Sequence, residues 1–397
     1  MKKYIALMLS VLLCLGLFGC SSEKTKRNKD KSDSENSSSA TQENKLYSDE
    51  SEKEFVKLNE DALLAIQVDG LYGFIDIKGN MIIEPQYEDA YDFSEGLAAV
   101  YIDGKWGYID RDGNIVIEPK FRNAYSFSEG IAHVGDYKYM GYIDKTGEYI
   151  IEPQYVGGGS FENGRAMVQV EGGNFGMIDH SGKMVVPAVF RDLPYFHEGL
   201  SRNSIEGNIY GFADETGEFV IEPEYDSVGN FSEGLASVEK DGKFGYVDKT
   251  GKLVIDMIYD DANEFSEGLA SVEIDDKEVY IDKTGKIAID KKFESTHAFK
   301  GGLAYARISD KYGYIDKTGE FVIEEKFDRA RNFCEGLAQV EVDEKYGFIN
   351  KKGEYVVEPQ FYNVWDFDGG FAVAEEDGEN TAIILPDGTV YKASDYK

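Results

Sequence analysis

Four histidines, three cysteines and two recurring columns of carboxylates are the side chains of this sequence that could do chemistry. His133, His180, His197 and His297 fall at unrelated places and share no ligand spacing, so neither a metal set nor an acid–base pair is expected of them. His133, on a variable strand position, is expected at the surface. There is no Gly-x-Ser-x-Gly elbow, no His-Glu-x-x-His and no phosphate loop, so no enzyme is expected. Cys14 and Cys20 lie near the start, which leaves Cys334 without an internal disulfide partner. Cys334 stands where sister segments carry Ser and reads as a small packing residue. One carboxylate column runs through Asp76, Asp110, Asp144, Asp179, Asp214, Asp248, Asp282 and Asp316. The other comprises Glu95, Glu129, Glu198, Glu233, Glu267 and Glu335. Acidic side chains at turns accept backbone N–H groups, which is the role expected of both columns. The alternative is weak calcium binding. Asp110-Arg111-Asp112-Gly113-Asn114 approaches an oxygen-rich cation loop, but its sisters read Asp-Lys-Thr-Gly and lack the second carboxylate. No other cofactor is expected.

Partner recognition should sit where otherwise regular segments differ. Ala99, His133, Met167, Arg202, Ser237, Ser271, Tyr305, Gln339 and Val373 occupy one equivalent strand position, expected to face outward as a contact surface. The stretch from Arg165 to Glu206 departs most from the consensus, with Arg191, Arg202, Pro187 and Pro194 in an acidic chain. Arg165, Met167, Arg191, Arg202, His133 and Tyr305 are therefore the candidate partner-binding residues.

The elements that would position them recur every 34 to 35 residues from about residue 61. An aromatic-Gly-aromatic-Ile-Asp segment (Tyr72 to Asp76, Trp106 to Asp110, Tyr312 to Asp316) marks each unit, with Val279 in the glycine place of one. Further glycine columns run through Gly79, Gly113 and Gly147 and close the Phe-Ser-Glu-Gly segments. Ten units result. Within one, Leu235 to Glu239 alternates with the period of a strand, and Asp241-Gly242 turns into a second strand around Gly245 to Asp248. Lys249-Thr250-Gly251 then makes a tight hairpin. The third strand, Leu253-Val254-Ile255, is apolar at three successive places and is expected to be buried on both faces. A Glu-Pro pair often ends it. The aromatic-x-x-Ala-x-x-Phe stretch that follows, as in Phe121, Ala124 and Phe127, reads either as a short fourth strand or as a packed loop. Aromatic columns such as Tyr87, Phe121 and Tyr155 are expected in the core.

The chain has 397 residues, 42 Lys+Arg against 75 Asp+Glu and a net charge of −33. That balance argues against nucleic acid, whose counterions are displaced by Lys and Arg. At 42% hydrophobic the chain has ample material for a core. Lys2-Lys3, an apolar run from Tyr4 to Phe18 and Leu17-Phe18-Gly19-Cys20 resemble a bacterial lipoprotein signal. That resemblance implies a signal peptide at 1–19, lipidation of Cys20, and residence on the extracellular face of the cell membrane. Residues 20–60, rich in Ser, Glu, Lys and Asn, read as the lipidated Cys and a disordered polar tether. Five basic residues between Lys24 and Lys31 suit anionic headgroups.

The units resemble the WG-repeat (KWG-type) family, although the name-giving pair survives only at Trp106-Gly107. The resemblance implies an exported all-β repeat protein without an assigned chemistry. The expected fold is all-β: residues 61–397 as a tandem array of about ten three-stranded β-meanders. With both ends in the same phase, an open twisted array is favoured over a closed propeller. The expected function is a non-catalytic surface lipoprotein scaffold that binds an extracellular protein or glycan. The alternatives are a structural spacer, a calcium-stabilised surface module, or an enzyme with its site in units four and five.

Overall fold

The computed structural model of the protein describes residues 61–205 and 208–397. The expectations for the signal peptide, Cys20 and the tether lie outside the described residues.

Strands form where the sequence alternates, and turns where glycine or a short acidic residue supplies positive φ. Asp241 (φ 53°) and Gly242 (φ 74°) make a two-residue turn between strands Leu235–Lys240 and Lys243–Asp248. Gly251 (φ 82°) turns the chain into the third strand, Leu253–Tyr259. The ambiguous aromatic-x-x-Ala stretch resolves into a two-residue fourth strand, such as Asn123–Ala124, hydrogen-bonded to the first long strand of its sheet. Each unit is thus usually four-stranded. Among the described residues ten separate antiparallel sheets result, eight of four strands and two of three, and we call them blades one to ten in chain order. Blade one spans 63–87, blade two 89–121, blade three 123–155 and blade four 157–190. Blade five, 201–225, and blade one have only three strands among the described residues.

The third strand is the exposed edge and not a buried one. Leu253 and Val254 are 40% and 41% exposed, while Ile255 is buried. Nor does the Glu-Pro pair end this strand, which continues to the aromatic residue beyond it: Tyr108 faces Ile117 and Trp106 faces Phe121, so Glu118-Pro119-Lys120 bulges outward. Proline is tolerated at such a place because it has no N–H to give a ladder. Opposite that bulge, Gly107 comes so close that a Cβ would lie 2.6 Å from the Ile117 carbonyl oxygen and 2.8 Å from the Pro119 nitrogen. Glycine is required there by space, not by φ.

The first and second long strands are buried on both faces, as in Ala98, Ala99, Val100, Tyr108 and Ile109. Neighbouring blades cover them. One apolar cluster joins Tyr108, Ile117 and Phe121 of blade two to Ala124, Phe127 and Val134 of blade three. The aromatic column at Tyr87, Phe121, Tyr155, Tyr225, Tyr259, Phe293, Phe327 and Phe361 is core throughout.

Closure overturns the open array. Blade one packs on blade two through Phe74, Ile83, Ala98 and Val100, and equally on blade ten through Leu64, Ile66, Ile75 and Ile383. Its Gly70 N–H donates to the Glu379 carbonyl at 2.8 Å, and its Gln67 N–H donates to Thr381 Oγ1 at 2.9 Å. The Tyr391 and Tyr396 hydroxyls donate to the carbonyls of Ile77 and Gly79, each at 3.0 Å. The ends meet, and the ten blades form a β-propeller. Identical phase at both ends is compatible with a ring because the seam is made by face packing, side-chain bonds and the Gly70–Glu379 main-chain bond, without an exchanged strand.

Candidate functional site

Most repeating polar residues are used by the seams between blades. The Ser94, Ser128, Ser232 and Ser266 hydroxyls each donate to the Phe carbonyl of the following blade at 2.6–2.7 Å. Cys334 takes the same place, its Sγ 3.1 Å from the Phe367 carbonyl oxygen, as its reading as a packing residue anticipated. Buried tyrosines do likewise: the Tyr108, Tyr246 and Tyr314 hydroxyls donate to the carbonyls of Tyr125, Asn263 and Arg331. The aspartate column performs its expected turn role, since Asp110 accepts the N–H groups of Asp112 and Asn114 and the Asn114 amide. The glutamate column does more. Glu95, held at φ 53°, accepts the Gly130 N–H of the next blade at 2.9 Å and pairs with Lys145 at 3.1 Å. Glu198, Glu233 and Glu267 repeat this clamp with Lys249, Lys283 and Lys317.

What remains is the variable column, and apart from the exposed Arg202 it does not face outward. Ala99, His133, Ser237, Ser271 and Gln339 are buried. Sequence alternation suggested one exposed face, but a strand sandwiched between two blades loses it; the strand Ser201–Ile205 of blade five, where Arg202 stays exposed, is the departure. Instead, seven of the nine variable residues meet the residue that follows the short fourth strand, which bonds back to them: Tyr125 N–H to the His133 carbonyl, Arg331 N–H to that of Gln339. The partners are matched in size. His133 stacks on Tyr125 with centroids 3.9 Å apart, and His297 on Tyr305 at 4.0 Å. Where Ser237 stands, Gly229 opposes it, and any Cβ there would lie 2.5 Å from the Ser237 hydroxyl. His133 is thus core and not surface; burial pulls its imidazole down to about 3, and its Nδ1 has no hydrogen-bond partner.

Between blades eight and nine, spanning 295–327 and 329–361, the matched column opens into a cavity of about 320 Å³. His297, Tyr305 and Tyr312 come from blade eight; Arg329, Arg331, Gln339 and Tyr346 from blade nine. Among the described residues no carboxylate lines it, although the chain carries 75. Burial pushes the Tyr305 hydroxyl up to about 12, against the pull of Arg331. Burial also lowers His297, favouring its neutral form. Arg329 is paired with Glu341 at 3.2 Å, and Gln339 donates to Asp366 at 2.7 Å. Guanidinium groups in such a lining are complementary in charge to an anion, and its aromatic rings to a flat or C–H-bearing surface. A second cavity, about 430 Å³, lies where blades one, two and ten meet, beside Asp92, Arg111 and Phe371. Asp92 accepts the Ala65 N–H there, and burial pushes its carboxyl up to about 6.

Of the residues anticipated for partner binding, Tyr305 lines the first cavity. Arg165 is exposed and paired with Glu215 at 2.8 Å, and Arg191 and Arg202 are exposed. Met167 is half-buried. None of these four lines either cavity. Sequence reasoning set aside His297 and missed Arg331; the available signal was Arg329-Ala330-Arg331, two cations where blade three has Asn123-Ala124-Tyr125.

The WG containing repeat family matches nine consecutive segments of this chain, the first at 72–106 and the last at 346–379. The chain belongs to the WG-repeat family. No curated protein matches the WG-repeat chain. Among solved structures, it is similar to a eukaryotic initiation factor (11% identity, TM-score 0.45, 84% of this chain and 96% of that one). It is likewise similar to BamB from Moraxella catarrhalis (12%, 0.34, 83% and 92%). The computationally designed Ika8 protein matches with 13% identity and a TM-score of 0.31, over 85% and 97% of the two chains. The propeller assignment rests on the WG-repeat chain's own pairing and closure, not on these likenesses.

Proposed function

We propose that this WG-repeat propeller is a non-catalytic binding scaffold, anchored through a lipidated Cys20 on the outer face of a bacterial membrane, that recognises an extracellular protein or glycan. The observation that carries the reading is the division of labour among side chains. Repeating polar residues hold the seams, whereas the residues that differ between blades gather in matched pairs and open into a cavity beside Tyr305. Its lining of guanidinium, phenol and amide groups, with the His297 imidazole stacked on Tyr305 and no carboxylate to pair with it among the lining residues, suits recognition better than proton transfer. The lipoprotein signal supports the location.

Two measurements test this. Labelled palmitate should enter the intact protein and not Cys20→Ser, which should leave the membrane fraction; equal labelling of both would refute the anchor. Cross-linking in cell-envelope extract should capture a partner with the intact chain and lose it with Tyr305→Ala. Retention by that variant and by Arg202→Glu alike would remove recognition through the variable residues. Point variants are preferable to deleting blades, because removing any blade would open the ring.

A further inference from the structure

The cavity between blades eight and nine has a more specific chemistry than a general contact surface. Arg331 is exposed at its mouth and makes no ion pair among the described residues, whereas Arg329 is already matched by Glu341. A single guanidinium fork with two parallel N–H donors is therefore available to an incoming group. The walls are aromatic. Tyr305, with His297 stacked on one side and Tyr312 at 5.8 Å edge-on, presents ring surface to the space, and Tyr346 adds another.

We propose that this cavity binds a singly charged carboxylated sugar, of which a uronic acid is the simplest case. The planar carboxylate matches the Arg331 fork in shape and charge. The pyranose C–H faces suit tyrosine rings, and the Gln339 carbonyl, left open by its amide's bond to Asp366, can accept from a ring hydroxyl. About 320 Å³ is the lower end of small-ligand cavities, right for a sugar ring and too small for an extended polymer segment. One negative charge is favoured over two because Glu341 and Asp366 flank the site and the whole chain carries −33. The inference narrows the glycan branch of the proposed function to a ligand class and rests on that branch.

Calorimetric titration of the intact chain with D-glucuronate tests it. Saturable binding is expected. D-glucose, lacking the charge, and acetate, lacking the ring, should each bind at least tenfold more weakly. Arg331→Gln, a change at an exposed residue, should weaken glucuronate binding tenfold or more at an unchanged melting midpoint. Tyr305→Leu should weaken it as well. Full-strength binding by Arg331→Gln would overturn the site. Acetate binding as tightly as glucuronate would overturn the sugar, and tighter binding of glucose 6-phosphate would overturn the carboxylate. Absence of any glucuronate binding alongside successful envelope capture would sink this inference and leave the scaffold reading standing.

Discussion

His180 Nε2 meets Glu129 Oε2 at 2.8 Å across the seam between blades three and four, where four other seams place a lysine on the equivalent glutamate. The clamp geometry is conserved within the molecule while its cation is exchanged. Each of those lysines also donates to the main-chain carbonyl of its glutamate, whereas His180 is placed on the carboxylate. His180→Lys should stabilise the protein by about 0.5 kcal/mol, the scale of an exposed ion pair. Urea unfolding at low salt measures it, and a loss of stability would mean the imidazole packs there for another reason, such as its contact with Phe161.

Gly107→Ala should be among the costliest single changes. The new methyl would collide with main-chain atoms of Ile117 and Pro119, and backbone held by proline yields poorly. A loss of about 2–3 kcal/mol is expected, as for overpacked interiors. Val279 occupies the same slot in blade seven, but there Asp290-Lys291 replaces Glu-Pro in the facing bulge. Pairing Gly107→Ala with Pro119→Lys should therefore recover part of the loss, read as a rise in the denaturation midpoint.

Cys334→Ser should be nearly silent, within about 0.5 kcal/mol. The serine hydroxyl already makes this inter-blade bond in four other seams, and oxygen accommodates the geometry more tightly than sulfur. A midpoint drop of several degrees would show that the thiol does more than pack.

Two buried titratable groups should respond to acid in opposite directions. His133 is held neutral, its pKa pulled from 6.5 to about 3 by burial. The unfolded chain takes up that proton first, so the stability His133 contributes is complete above pH 6.5 and lost as pH falls towards 3. His133→Phe should narrow its deficit, or widen its lead, relative to the native chain at pH 4.5 compared with pH 7.5. Asp92 behaves inversely. Burial raises it from 3.8 to about 6, so its contribution is complete below 3.8 and lost as pH rises through 6. Asp92→Asn should stabilise by on the order of 2 kcal/mol more at pH 7.5 than at pH 3.5. Denaturation of both variants across that range decides, and parallel curves for variant and native chain would show that neither group is perturbed.

Features written within one unit were legible; those made between units were not. Asp110 acts on residues two and four positions away, a spacing the sequence displays. Glu95 acts on Gly130 and Lys145 in the next blade, and only the shared period of their columns hinted at it. Asn123–Ala124 is too short for any periodicity to reveal a strand. The variable column misled because alternation normally separates a wet face from a dry one. Here Ala99 and Val100, neighbours pointing oppositely, are both fully buried, since a blade lies on each side. The candidate site followed the same divide: Tyr305 was visible as an irregularity in its column, whereas Arg331 and His297 became relevant only once blades eight and nine were juxtaposed.

The bond from Tyr391 to Ile77 spans 314 residues of sequence. A linear stack of modules frays inward from its terminal members, each released by losing a single neighbour. In this molecule every module has two neighbours, so the first to leave must tear both contacts at once. Disassembly should then begin with a rare, costly rupture followed by rapid collapse, and the lifetime of the native form should exceed what the strength of an individual contact suggests.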